Sequence, residues 1–219
     1  MSILIDSGNF YHVVLKKLGL IEGEFDFDAF AKFLANGREI PAGGKRFYVG
    51  TVREMGDGHE NETAISNQTR LFTELKKAGW DIKTSKLRTR VERIQIDDRV
   101  TNAADLRKLG ISEIEYRRSR EKGIDVKIAV DLLVGAFDHK YDTAIVVSSD
   151  SDLVPAIDWV RMRGKKKVEY IGFSTPDRGS HEGVKPTKSL IFRTDVQRVL
   201  VESDIRHFVK PSLFGAPHF

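Results

Sequence analysis

Short apolar runs with the length of β-strands alternate with segments of helical periodicity along most of this 219-residue chain. A strand is predicted where apolar and β-branched residues stand together, and a helix where apolar residues recur every third or fourth position. Strands joined through helices form βαβ units, so we expect an α/β fold with a mostly parallel sheet and helices on both faces. The predicted strands are 2–5, 45–52, 80–87, 141–149 and 166–173, and the predicted helices are 10–19, 26–35, 61–79, 122–137 and 151–164.

Two segments depart from this alternation. Residues 88–121 are rich in charge, and residues 91–98 alternate in part as a strand would, so we expect a β-hairpin or an extended arm inserted there. Residues 189–219 are expected to form a C-terminal extension with one more short strand or a helix. With these additions, residues 1–219 are predicted to form a single domain, because the length and the balance of apolar and charged residues suit one core.

Charge and composition narrow the classes of partner. The formal net charge is +4, and basic residues cluster at 83–93, 116–122 and 161–167. Each cluster alone is typical of a solvated surface, whereas three together favour nucleic acid as the partner. The chain has no cysteine, which excludes disulfides, thiolate zinc sites and a thiol nucleophile. Since no apolar run is long enough to span a bilayer and no secretory signal opens the chain, we expect a cytoplasmic protein that does not bind membranes.

Acidic residues stand where two predicted strands end. Asp6 follows the first strand, and Asp150 and Asp152 follow the strand that ends in the sequence VVSS. In an open parallel sheet the carboxyl ends of the strands meet at one edge, and ligands bind there. The alternative is that Asp6 or Ser7 caps the first helix and that Asp150 or Ser151 caps the later one. Capping accounts for one aspartate at each turn, but it accounts neither for Asp152 nor for Asn9 in the first turn.

Asp125 is the most informative acidic residue. On a helical wheel of the predicted helix it lies near the middle of an apolar arc that includes Phe137, whereas Asp131 lies on the polar side with Lys127 and is expected to face solvent. A carboxylate buried without a partner costs several kcal/mol, on the order of 2–7 for polar groups in general. Asp125 therefore either caps its helix or faces the crevice at the sheet edge and needs a cation. The sequence leaves both alternatives open.

The acidic set predicts a site for a hard divalent cation. Asp6, Asp125, Asp150 and Asp152 would together supply the oxygen ligands that suit Mg²⁺ or Mn²⁺. The six histidines show no spacing typical of a zinc site. The phosphate-binding patterns GxxxxGK[ST] and GxGxxG and the nucleophile pattern GxSxG are absent from the sequence, which argues against the enzyme classes that use them.

Three stretches of the chain resemble the motifs of a known family. LIDSGN (4–9), KGIDVKIAVDLL (122–133) and VVSSDSDLVPAI (146–157) are similar in sequence and order to the motifs of the NYN domain. That domain belongs to the PIN-like nuclease superfamily, and the similarity is greatest to its bacterial LabA-like branch. The resemblance implies a Rossmann-like, PIN-like sheet and an acidic metal site that hydrolyses phosphodiester bonds in RNA.

Position by position, the resemblance extends to the residues of the site. It implies catalytic and metal-binding roles for Asp6, Asp125, Asp150 and Asp152, and it pairs Asn9 with Asp6. We expect Asn9 and Ser148 to orient the ligands or a water. Lys122, which the family motif also contains, and three arginines of the basic stretch 83–99 are expected to bind the RNA backbone without reading its sequence. Those arginines are Arg88, Arg90 and Arg93.

The leading hypothesis is therefore a metal-dependent ribonuclease that uses Mg²⁺ or Mn²⁺ on single-stranded or structured RNA. The alternative is a non-catalytic nucleic-acid-binding or regulatory module on the same fold. A phosphatase is less consistent with the sequence, because the first strand lacks the second aspartate two residues after Asp6 that the DxD pattern requires. The sequence leaves homodimer formation open.

Overall fold

One mixed sheet organises the molecule. The computed structural model describes residues 1–51, 60–121, 123–177 and 183–210, except for the side chains of 60–62, 86–89 and 119–121. Within these residues seven strands form the sheet in the order β4-β3-β2-β1-β5-β6-β7, and β4 alone runs antiparallel to its neighbour. The strands are β1 (Ser2–Asp6), β2 (Lys45–Thr51), β3 (Asp81–Gln95), β4 (Glu113–Glu121), β5 (Thr143–Val147), β6 (Lys167–Ser174) and β7 (Val196–Val201).

Helices cover both faces of this sheet, which confirms the predicted α/β class. The helices are α1 (Ser7–Phe10), α2 (Phe27–Ala35), α3 (Glu60–Lys77), α4 (Ala103–Lys108), α5 (Ile124–Phe137), α6 (Val154–Met162), α7 (Lys188–Arg193) and α8 (Glu202–Arg206). A π-helix (Tyr11–Leu15) continues α1, and short 3-10 helices occur at Glu22–Glu24 and Ser151–Leu153. In the described part of the chain, none of the helices combines the length and the apolar character needed to cross a membrane.

Each face of the sheet has its own apolar core. The five residues of β1 are all buried, and alternate residues face opposite sides, so that Ile3 and Ile5 join one core and Leu4 joins the other. The first core is rich in phenylalanine from α1 and α2, and the second lies beneath α5 and α6. This double burial explains why β1 and β5 read as continuous apolar runs in the sequence.

Strand β3 extends beyond the main sheet. Its first residues pair with β2 in parallel, and from Leu87 onward it pairs with β4 in an antiparallel ribbon as far as Gln95 and Glu113. The hairpin predicted at 88–121 is therefore present, and it also contains α4. At the other end of the chain, the region expected to hold a strand or a helix contains both, because β7 completes the sheet and α8 follows it. The assignment of 1–219 to a single domain stays a prediction.

The prediction that Asp131 faces solvent and pairs with Lys127 was wrong. Asp131 is half-buried, its Oδ2 accepts a hydrogen bond of 2.7 Å from the Tyr48 hydroxyl, and it lies 3.6 Å from Nη1 of Arg46. Lys127 instead donates to the carbonyl oxygen of Thr84. The reason is that α5 crosses β2, whose polar side chains reach one flank of the helix. A helical wheel contains no information about the strand beneath it.

Candidate active site

The carboxyl ends of β1 and β5 meet at the centre of the sheet. These two strands are parallel neighbours, with Ile5 opposite Val147. Strands β2 and β3 follow β1 on one side of the sheet, and β6 and β7 follow β5 on the other side. The strand order therefore reverses between β1 and β5. This reversal creates the crevice where α/β sheets bind ligands. Asp6 ends β1, and Asp150 lies three residues after the end of β5.

Asp6 connects the two turns that line this crevice. Its side chain is buried, with 8% of the residue exposed. Oδ1 accepts the backbone N–H of Asn9 at 3.0 Å and thereby caps α1, as the capping interpretation expects. Oδ2 accepts the hydroxyl of Ser148 at 3.1 Å, which a simple helix cap would not require. Asp6 is therefore both a cap and a bridge to the turn after β5.

The turn after β5 is held by a chain of hydrogen bonds. The hydroxyl oxygen of Ser148 accepts the N–H of Asp150 at 3.2 Å, and Oδ1 of Asp150 accepts the N–H of Asp152 at 2.9 Å. Asn9 adds a second link between the two turns, because its Oδ1 accepts the N–H of Ser149 at 2.8 Å. The residues that surround Asp6 and Asp150 are thus fixed relative to each other through both side chains and backbone.

Burial and nearby charges act on the carboxylate of Asp6 at this edge. Burial raises the pKa of Asp6 above its ordinary value, the hydrogen bonds from Asn9 and Ser148 oppose that rise, and the charges of Asp150 and Asp125 add to it. The net rise means that the ionised form of Asp6 is disfavoured here in spite of its hydrogen bonds. A bound cation would offset this cost.

Asp125 reaches the same edge from the start of α5. It is half-buried in the first turn of the helix, and the N-cap position is occupied by Gly123. Gly123 has a φ of 84°, a left-handed conformation that glycine adopts without the steric cost of a side chain, and it turns the chain from β4 into α5. The sequence left open whether Asp125 caps α5 or faces the crevice, and the structure shows that it is not the cap. Its charge acts on Asp6 across the crevice.

Comparison with known proteins agrees with this architecture. A family model, described as the NYN domain, matches residues 1–191.

The chain belongs to the NYN domain family.

NYN domains are in general nuclease-like. A crystal structure of a protein of unknown function from Vibrio parahaemolyticus is similar in fold, with a TM-score of 0.51, 19% sequence identity and coverage of 92% of each chain. No curated protein matches the chain. The relation to the LabA-like branch stays a prediction.

Several residues predicted for the site lie outside this group of contacts. Asp152 follows Asp150 in the NYN domain, but its side chain is exposed, and only its backbone N–H joins the network. Lys122 lies outside the described residues, and so does the side chain of Arg88, whose backbone belongs to β3. The structure therefore links Asp6 to the backbone of Asp150 through Ser148, places Asp125 where its charge acts on Asp6, and leaves Asp152 at the solvent side.

The two described arginines of the predicted RNA-binding set differ in their surroundings. Arg93 lies opposite Glu115 in the ribbon, and its Nε is 2.9 Å from the carboxylate of Glu115 and 3.8 Å from that of Glu113. Arg90 lies opposite Arg118, is exposed, and has no ion-pair partner within the described part of the chain. Arg118 lies 3.6 Å from the carboxylate of Glu92, whereas Arg90 faces a like charge, so a bound anion would be favourable beside Arg90.

Two contacts at this edge of the NYN domain could not be predicted from the sequence. The hydroxyl of Ser7, next to Asp6, donates to Glu22, whose pKa is raised by burial. The hydroxyl of Thr187 donates to the carbonyl oxygen of Ser149 at 2.8 Å and ties the segment before α7 to the turn after β5. Both pairs join residues that are far apart in the chain, and their types are common on any surface, so only the fold reveals them.

The donor set suits a hydrated cation better than an enclosed one. Among the described residues, no three His, Cys, Asp or Glu side chains are grouped so that they could hold a metal ion. Mg²⁺ usually keeps several waters and binds through one or two carboxylates and substrate phosphates, so a complete protein cage is not required. The buried Asp6 beside the charges of Asp125 and Asp150 fits that mode of binding.

Proposed function

We propose that this NYN domain is a metal-dependent ribonuclease that hydrolyses phosphodiester bonds in RNA at the carboxyl ends of β1 and β5. The observation that carries the proposal is the buried carboxylate of Asp6, which accepts from Asn9 and Ser148 where β1 and β5 end, and whose pKa is raised by burial first and by the charges of Asp150 and Asp125 second. Burying acidic groups against one another costs stability unless a cation compensates. Such an arrangement at the crevice of an α/β sheet is typical of a site under functional selection.

The ligands for Mg²⁺ or Mn²⁺ would come from Asp6, Asp125, Asp150 and Asp152. A divalent ion supplies an activated water and stabilises negative charge on the scissile phosphate. Because the side chain of Asp152 is exposed, its contribution would come from the solvent side, through a water or at the entrance of the crevice.

The protein's own residues have supporting roles in this proposal. Ser148 donates to Oδ2 of Asp6 and accepts from the N–H of Asp150, so it holds the carboxyl group of Asp6 against the backbone of the turn that carries Asp150. Asn9 holds the turn after β5 against the turn after β1. Removing a residue that hydrogen-bonds to a metal ligand typically lowers metal affinity or activity by about 10–100-fold.

The RNA backbone would be bound by Lys122 and by the arm. Strand β4 ends at Glu121, four residues before Asp125, so the arm leads directly to the start of α5 and the acidic edge. Its ribbon of nine paired positions, from Leu87–Glu121 to Gln95–Glu113, spans about 30 Å at about 3.4 Å per residue. On this arm the exposed Arg90 is the stronger of the two described candidates for contacting phosphates, because Arg93 is paired with glutamates, and the role of Arg88 stays a prediction.

The proposal is tested by incubating labelled RNA with the full chain in Mn²⁺ and in EDTA. Degradation that requires the metal supports a metal-dependent ribonuclease. If the chain binds RNA and leaves it intact under both conditions, the alternative of a non-catalytic nucleic-acid-binding or regulatory module is supported instead. Degradation that continues at the same rate in EDTA would contradict the metal-dependent mechanism.

A further inference from the structure

Helix α5 is apolar on the side that faces solvent as well as on the side that faces the core. Ile128 and Leu132 are buried against the sheet, while Val126, Val130 and Val134 are about half exposed. A surface helix normally carries polar residues on its outer side, and a helix that is apolar all round is normally buried. The exposed residues recur every fourth position along a helix about 21 Å long.

Helix α6 extends the same surface. It packs beside α5 over the same core, to which it contributes Ile157 and Val160. The two helices approach each other closely at their ends, since a Cβ atom placed on Gly164 would lie 3.2 Å from that of Ala136. We define the α5–α6 outer face by the exposed apolar residues Val126, Val130, Val134, Phe137, Trp159 and Met162.

The size of the α5–α6 outer face suits a stable protein interface. Its six residues are each between 38% and 74% exposed. Together they present on the order of 600 Å² of mainly apolar surface, compared with about 800 Å² per partner in an interface of standard size. Phe137, which the helical periodicity assigns to the buried arc, is the most exposed of the six at 74%.

Two of the cations beside this face form ion pairs within the chain, which favours an apolar partner over a polyanion there, although the exposed Arg163 follows Met162. Lys140 lies 2.8 Å from Asp138 at the end of α5, and Arg193 lies 3.4 Å from Asp158 on α6. These cations are paired within the chain, whereas a nucleic acid requires cations that are free to bind phosphates. An apolar surface is complementary to another copy of itself, as a two-fold symmetric interface requires.

We propose that the α5–α6 outer face is the interface of a homodimer, in which α5 of one copy packs on α5 and α6 of the second. The proposal is independent of catalysis, because none of the six residues belongs to the acidic edge. It predicts that the full chain, of 24.8 kDa, sediments with twice that mass at concentrations above its dissociation constant.

Val130→Glu is the direct test by analytical ultracentrifugation. The position is 48% exposed, so the monomer tolerates the charge, but a two-fold interface would bury it twice. We expect the dissociation constant to rise by about 100-fold or more, with an unchanged circular dichroism spectrum. The matched control is Leu109→Glu, which places the same charge at an apolar residue that is 75% exposed and follows α4 on the arm. That variant should dimerise like the wild type.

A second measurement remains informative even if Val130→Glu fails to fold. Because the chain has no cysteine, Val130→Cys provides a single attachment site for a spin label. Dipolar broadening between two labels at position 130, and its absence in Leu109→Cys, is the expected result. The proposal is overturned if the wild-type chain is monomeric throughout the concentration series. A monomeric chain that binds neutral phosphatidylcholine vesicles through this face would overturn it in the same way. It is equally overturned by a dimer whose affinity and label distances do not depend on position 130.

Discussion

Replacing Asn9 with alanine removes the acceptor that joins the turn after β1 to the turn after β5. The N–H of Ser149 would lose its 2.8 Å bond to Oδ1 of Asn9, while the backbone N–H of residue 9 would still donate to Asp6. A half-buried donor left without its partner costs about 1–2 kcal/mol. For a chain of this length that corresponds to a decrease of about 2–8 °C in Tm.

The same change should affect hydrolysis more than stability. Because Asn9 holds the turn that carries Asp150, we expect Asn9→Ala to reduce metal-dependent RNA cleavage by about 10–100-fold. The measurements are thermal unfolding by circular dichroism and the cleavage rate of labelled RNA in Mn²⁺. Gln197→Ala is the control, because it also removes a side-chain hydrogen bond to the backbone, in this case from Nε2 of Gln197 to the carbonyl oxygen of Thr194 at 2.7 Å, near the start of the edge strand β7. It should decrease Tm to a similar extent and leave cleavage unchanged.

Two results would refute this reasoning. If Asn9→Ala unfolds at a lower temperature but cleaves RNA at the wild-type rate, the alignment of the two turns is irrelevant to hydrolysis. If neither Tm nor cleavage changes, the bond between Asn9 and Ser149 makes no contribution in solution.

Three further predictions concern protons, salt and metal. The folded-state pKa of Asp6 lies above the ordinary value of 3.8, so the stability this group contributes is present below that pH and is lost as the pH rises through the folded pKa. Asp6→Asn should therefore unfold at a higher temperature than the wild type at pH 7 in EDTA, and acid titration of Tm should remove the difference. Arg90→Ala should reduce the slope of log Kd for RNA against log salt by about 1, whereas Arg93→Ala should change it less, which filter binding at several salt concentrations will measure. At 100 times its Kd, Mn²⁺ should stabilise the wild type by about 2.7 kcal/mol and Asp150→Asn hardly at all in thermal-shift assays; an equal response would identify Asp150 as a helix cap alone.

The sequence predicted which strands end in acidic residues and that these strands are parallel, because the responsible signals are local. The apolar runs that end at Asp6 and before Ser148 mark strands buried on both faces, and parallel strands necessarily end at one edge. That β1 and β5 are neighbours follows from the reversal of strand order, a common feature of this class of fold. The helical wheel also placed Asp125 away from solvent, which agrees with its half-buried position.

The sequence-based predictions failed where the surroundings of a side chain are set by residues of another strand. Asp131 was misassigned because Tyr48 comes from a strand more than eighty residues earlier in the chain. The different states of Arg90 and Arg93 depend on the register of β3 against β4, which sets arginine opposite one and glutamate opposite the other. A shift of one residue would place Ile114 or Tyr116 opposite Arg93 instead of Glu115, and periodicity alone does not fix the register.

The most direct test of a metal-dependent ribonuclease at this edge compares two aspartates associated with α5. Asp125 lies in its first turn, where its charge acts on Asp6, and Asp138 lies at its C-cap beside Lys140. The measurement is the single-turnover rate of RNA cleavage in saturating Mn²⁺ for Asp125→Asn, Asp138→Asn and the wild type. The account predicts a loss of at least about 100-fold for Asp125→Asn, comparable to the removal of an electrostatic contribution to the transition state, and an unchanged rate for Asp138→Asn. Cleavage by Asp125→Asn at the wild-type rate would contradict the assignment of the site.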